Sequence, residues 1–161
     1  MPQAPLQPAL MALFFLANAV PAVAAPPDAS QGRLVYEKAN CVGCHKWHGD
    51  GGGGYGGAAL SLRTTQLTRD ELLEVVRCGR PGTGMPYHDR EAYKTHPCFG
   101  GMDVKDMGGD APRSPAKYLR PEEMNAVVDY VVTTLQGKPA ATKDDCVAYW
   151  GPTSHECKAM K

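Results

Sequence analysis

The pentapeptide Cys41-Val42-Gly43-Cys44-His45 constrains this chain more than any other feature. It sets two thiols three positions apart and places an imidazole directly after the second. Three chemistries use such a pattern: covalent haem attachment, thiol–disulfide exchange, and one half of a zinc site. An exchange motif wants a preceding strand in a βαβ setting, and no strand pattern precedes Cys41. A zinc site wants a second ligand pair at matched spacing, which Cys78, Cys98, Cys146 and Cys157 do not supply. Haem attachment has a physical reason for the spacing. Two thiols on one helical turn reach two vinyl groups on the same side of a haem, and the next residue, His45, falls where an imidazole nitrogen meets the iron. The chain holds only three Phe and two Trp, little material for an apolar core, and a large apolar cofactor fills that gap.

The amino terminus differs from the rest. Residues 1–25 carry no charged side chain, and residues 9–23 are mostly Ala, Leu, Phe and Val. Ala22-Val23-Ala24 is a small-x-small cleavage signal. Residues 1–24 therefore read as a secretory signal peptide, although no Lys or Arg precedes the apolar run. The alternative is a retained anchor, but the run falls short of the ~20 apolar residues that span a bilayer. The expectation is a periplasmic protein with no stable membrane span once processed. The 17 basic and 17 acidic residues balance, so no basic excess points to nucleic acid.

Helical signals cluster in three places. Ser30 is placed to cap a helix that begins near Gln31 and runs into Cys41, with Gly32, Val35 and Tyr36 on one face. Thr68 and Glu71 make a capping box, with Leu67 before it as a staple residue. Leu72, Leu73, Val75 and Val76 follow as an apolar face, and Gly79 and Pro81 end that helix. Pro121 opens the third helix with Glu122 and Glu123 in its first turn. Its stripe is Met124, Val127, Val128, Val131 and Leu135. Residues 49–57 are nearly all glycine. The spacing Gly52-x-Gly54-x-x-Gly57 imitates a dinucleotide fingerprint but lacks its strand and helix, so it reads as loop. Nearby Trp47, Tyr55 and Arg63 each carry a donor for a haem propionate. Residues 138–161 show no helical period. The fold class is all-α with long loops.

These segments together resemble the single-haem class I cytochrome c family. Gly32, Tyr36, Cys41, Cys44 and His45 match its first helix and haem-binding segment. Residues 68–86, ending Arg80-Pro81-Gly82-Thr83-Gly84-Met85-Pro86, look like its middle helix and methionine loop. Residues 119–135 look like its last helix. The resemblance implies three main helices around one covalently bound haem c, and a contact of Gly32 and Tyr36 with Tyr130. It implies Cys41, Cys44, His45 and Met85 as cofactor-binding residues, with His45 and Met85 on the metal. Met102, Met107, His88 and His96 remain rivals for the sixth position. Met124 sits on a helical stripe and reads as core.

The expected domain is residues 25–137, with an insert at residues 86–118 after the methionine loop and a tail at residues 138–161. Of the chain's six cysteines, the four outside the motif suit two disulfides in an exported protein. Local pairing, Cys78 with Cys98 and Cys146 with Cys157, is the simplest of the three connectivities. The expected function is one-electron transfer between periplasmic redox proteins, with a dehydrogenase as donor or an oxidase as acceptor, rather than enzymatic turnover. The alternatives are an electron-transfer subunit fixed to a dehydrogenase or oxidase, or a haem enzyme or gas sensor. The insert is expected to shape a docking surface, the alternative being that it shields the haem.

Overall fold

The computed structural model describes residues 1, 29–54 and 58–160. Residues 2–24 of the proposed signal peptide and Tyr55 lie outside the described residues. Among those residues there are helices and loops but no strand, only an isolated bridge between Ala92 and His96. The chain is all-α.

Among the described residues seven α-helices follow in order: α1 (Ala29–Lys38), α2 (Cys41–His45), α3 (Arg69–Cys78), α4 (Val104–Met107), α5 (Pro121–Tyr130), α6 (Lys143–Trp150) and α7 (His155–Lys158). Two expectations shift at the first helix. Ser30 lies inside the first turn of α1 rather than capping it. The helix also does not run into Cys41: Asn40 takes a left-handed conformation, φ 61°, and separates α1 from α2. Asparagine tolerates that region because its short polar side chain bonds locally.

The crossing of α1 and α5 organises the molecule. A Cβ on Gly32 would lie 2.3 Å from the Ala126 carbonyl oxygen and 2.5 Å from Tyr130 Cβ. Only glycine permits that approach. One turn on, the Tyr36 and Tyr130 rings sit 5.5 Å apart, tilted at 54°. Val35, Met124, Val127 and Val128 close the seam with almost no exposure, and burial of each such side chain contributes roughly 1.5–3 kcal/mol. Beyond Tyr130 the helix continues as a π-helical turn, Val131–Leu135, that keeps Val131 and Leu135 buried.

The α3 helix begins at its capping box: Thr68 accepts from the Glu71 amide, and Glu71 returns a bond to the Thr68 amide. Arg69 then ties α3 to α5, with Nε 2.6 Å from Asp129 Oδ1 and Nη2 2.9 Å from Asn125 Oδ1. Gly79, at φ 70°, ends the helix.

Residues 86–118 pack on the far end of α3. They contain α4 and a 3-10 turn, Gly108–Asp110, where the sequence reads only as irregular. Ala92 and Cys98 are buried with Cys78 in a small second core that Tyr87, Tyr93 and Phe99 cover. The Tyr93 hydroxyl donates to the Cys78 carbonyl at 2.8 Å, and the Phe99 amide to Glu74 Oε1 at 2.6 Å. The Cys78 and Cys98 sulfurs lie 2.00 Å apart, within a Cα–Cα distance of 5.8 Å.

The tail departs most from the sequence reading, since α6 and α7 lie in residues that show no apolar period. Capping supplies what periodicity does not. Thr142 accepts from the Asp145 amide while Asp145 accepts from the Thr142 amide, and Ser154 caps α7. The Cys146 and Cys157 sulfurs lie 2.11 Å apart and join the two helices. The tail folds back on α1: the Arg33 guanidinium lies 4.0 Å over the Tyr149 ring and donates to the Tyr149 carbonyl at 2.6 Å.

Candidate haem site

The α2 helix is the motif itself, Cys-Val-Gly-Cys-His. The glycine-rich loop packs against its backbone. Gly53 N–H donates to the Cys44 carbonyl at 2.9 Å and Gly51 N–H to the His45 carbonyl at 3.1 Å. A Cβ on Gly53 would lie 2.4 Å from that Cys44 oxygen. The close backbone approach to α2 thus falls on Gly53 rather than on the glycines of the fingerprint spacing: a Cβ on Gly52 would meet nothing within 4 Å, and Gly57 lies outside the described residues.

His45 Nδ1 sits 2.9 Å from the Leu60 carbonyl oxygen. A carbonyl only accepts, so Nδ1 carries the proton and Nε2 keeps its lone pair for a metal. Burial pushes the His45 pKa down, against the opposing pull of the Leu60 carbonyl, which favours the neutral, ligating form. Burial also pushes the Cys41 thiol up to about 12.

Beside α2 opens a cavity of about 280 Å³. Its walls come from three directions: Leu72, Val75 and Val76 of α3, Val127, Val128 and Val131 at the end of α5, and the segment around Leu60 to Leu67. Cys41 and His45 reach it from one side and Met85 from the methionine loop. The apolar walls suit a flat macrocycle, and a thiol, an imidazole and a thioether are the donors that haem c uses. The residues fit that group.

The structure also sorts the remaining candidates. Cys44 is not among the lining residues; its sulfur lies by Gly54, 3.2 Å from where a Cβ would stand. Met102 and Met107 line a separate groove with Pro81 and Gly82. Met124 is buried in the main core. His88 Nδ1 is 3.1 Å from the Lys117 carbonyl oxygen, and His96 Nδ1 is 2.7 Å from Asp89 Oδ2. Neither histidine lines the cavity.

A profile of the cytochrome c family matches residues 29–135. The chain belongs to the cytochrome c family. It is a haem-containing electron carrier, and its haem c is covalently attached. No curated protein and no solved structure matches the chain. The matched span takes in residues 86–118 and stops before the tail.

Two propionate candidates in the cytochrome make contacts with the tail. Arg63 Nε donates to the His48 carbonyl at 2.5 Å and pairs with Asp50 at 3.3 Å, and its Nη1 donates to the Pro139 carbonyl. Trp47 packs on Tyr149, ring centroids 5.4 Å apart. Both residues fasten the tail to the segment that follows α2. The polar residues that do line the cavity include Ser61, Thr64, Thr65 and Arg80. Sequence reasoning missed Arg80, although it opens the same Arg80-Pro81-Gly82-Thr83-Gly84-Met85 run that points to Met85.

Proposed function

We propose that this cytochrome is an exported single-haem carrier that moves one electron at a time between periplasmic redox proteins, a dehydrogenase as donor or an oxidase as acceptor. Cys41 and Cys44 form the two thioethers, and His45 and Met85 ligate the iron. One observation carries the assignment: among the described residues, Met85 is the only methionine lining the cavity that Cys41 and His45 also line. When bound, haem c supplies a reversible one-electron iron couple.

The residues of the chain do the rest. The Leu60 carbonyl holds the His45 ring in one tautomer. The valines and leucines of α3 and α5 exclude water. The Met85 thioether is a soft ligand that favours ferrous iron and raises the potential; with that position filled, no substrate reaches the metal. Residues 1–24 direct export and are removed, and the four cysteines outside the motif form the pairs Cys78–Cys98 and Cys146–Cys157, as suits an oxidising compartment. Residues 86–118 present a partner-docking surface beside the methionine loop. In support, none of them is among the residues lining the cavity, so direct shielding of the haem is the weaker account.

The test is Met85→Ala in the haem-loaded protein. Its potential should fall, and cyanide and carbon monoxide should bind readily. An unchanged spectrum and potential would return the ligand to Met102, Met107 or a histidine.

A further inference from the structure

We infer that Arg80 binds a propionate carboxylate of the haem and, through the closed loop it shares with Met85, holds the axial methionine in place. The inference rests on the axial assignment above for its second half and on the family's haem c for its first.

A haem brings two carboxylates to its pocket, and a carboxylate held at an apolar cavity needs hydrogen-bond donors or a cation. The cavity's other polar groups are weakly suited. The Tyr36 hydroxyl already donates to the Lys46 carbonyl at 2.9 Å. Thr65 Oγ1 accepts from the Leu67 amide. Among the described residues, Arg80 is the only cationic side chain that lines the cavity. Among the described residues its guanidinium has no ion pair and no hydrogen bond, whereas Arg33, Arg63, Arg69 and Arg120 are each paired with a carboxylate. Arginine presents a planar fork of N–H donors that matches a carboxylate in two-pronged fashion. A free arginine at the mouth of an apolar pocket that receives a dicarboxylate is thus a built half of an ion pair.

The loop couples that pair to the iron ligand. The Arg80 amide donates to the Met85 carbonyl at 3.2 Å, closing residues 80–85 on themselves. Within the closure, the Thr83 hydroxyl donates to the Arg80 carbonyl at 2.7 Å, and the Met85 amide donates to Thr83 Oγ1 at 3.2 Å. The cation and the thioether therefore sit at the two ends of one closed turn. Anchoring one end restricts the other.

The experiment compares haem-loaded wild type with Arg80→Gln, Arg80→Lys and, as a control for charge alone, Arg90→Gln. Arg90 lies outside the cavity, its guanidinium 4.6 Å over the Tyr118 ring. Two readouts are taken on each: the propionate bending bands in the resonance Raman spectrum, and the rate at which cyanide displaces the sixth ligand of the oxidised protein. Arg80→Gln should shift a propionate band and speed cyanide binding by about fivefold, a charged hydrogen bond discounted for solvent exposure. Arg80→Lys should recover part of both changes, and Arg90→Gln should alter neither. Propionate bands unchanged in Arg80→Gln overturn the contact. A shifted band with an unchanged cyanide rate overturns the coupling to Met85. Should Arg80→Gln fail to retain haem, the lysine variant decides, since a shifted propionate band there supports the contact and an unshifted one refutes it. If wild type lacks the methionine-ligated spectrum, the axial assignment fails by itself, and the propionate bands still judge Arg80.

Discussion

Gly32 and Glu123 show how single residues set this molecule's limits. At Gly32 the neighbour is backbone, the Ala126 carbonyl, and cannot rotate aside. Gly32→Ala should therefore destabilise the haem-loaded protein by about 2–3 kcal/mol, as overpacking does where nothing yields. Thermal unfolding measures it, and a melting temperature equal to wild type would refute the close crossing of α1 and α5. Glu123 is buried. The Arg120 amide and the Lys38 ammonium, which reaches it from α1, hold its carboxyl down at about 2. The folded value lies below the usual one, so the group adds stability at pH above about 4.5. That contribution disappears as the pH falls from there towards 2. Glu123→Gln should flatten the stability profile across this acid window, and a steep wild-type-like slope in the variant would assign the slope to other carboxylates.

At the scale of elements, the helices that line the cavity were the legible ones because their signals are local. The Thr68–Glu71 box, Pro121 at a first helical turn and the stripe from Met124 to Leu135 each specify a helix without reference to the rest of the chain. The contact of Gly32 and Tyr36 with Tyr130 followed from family resemblance. The tail was illegible because its helices are held by caps, the cysteine pair and contacts with Arg33 and Trp47, none of which gives an apolar period. Its Thr142–Asp145 box was present but carries an aspartate where the usual pattern has Glu or Gln. Two contacts of Arg63 were illegible for a related reason: they go to the backbone carbonyls of His48 and Pro139, which no side-chain pattern announces. If capping sustains α6, Thr142→Ala should cost about 1 kcal/mol there. Amide exchange across α6 should quicken while the haem spectrum stays as in wild type. A change in the spectrum would mean that the tail supports the iron site directly.

At the scale of the molecule, the described residues form two cores joined by α3. One face of that helix, through Leu72, Val75 and Val76, lines the candidate haem cavity, and its last residue, Cys78, belongs to the second core with Ala92 and Cys98. The methionine loop leaves from between them at Gly79, where a Cβ would meet the Tyr87 amide nitrogen at 2.7 Å. Residues 86–118 then pin the loop from outside. Gly82 N–H donates to the Asp110 carbonyl at 2.8 Å, Tyr87 N–H to the Arg113 carbonyl at 3.2 Å, and His88 N–H returns to the Val76 carbonyl at 3.1 Å. Met85 is thus held between two flanks, and the Cys78–Cys98 link keeps the outer flank on α3. Removing it as Cys78→Ser with Cys98→Ser opens a loop of 20 residues, for which chain entropy alone predicts a loss of ~3 kcal/mol. The order of events on heating tests the arrangement. In wild type the methionine-ligation band and the helical signal should fade together. In the double variant the band should fade first, because the outer flank loosens while the crossing of α1 and α5, whose buried residues belong to the first core, keeps the helices in place. If band and helicity still fade together in the variant, the second core adds only global stability and the hold on Met85 comes from the haem side of the loop.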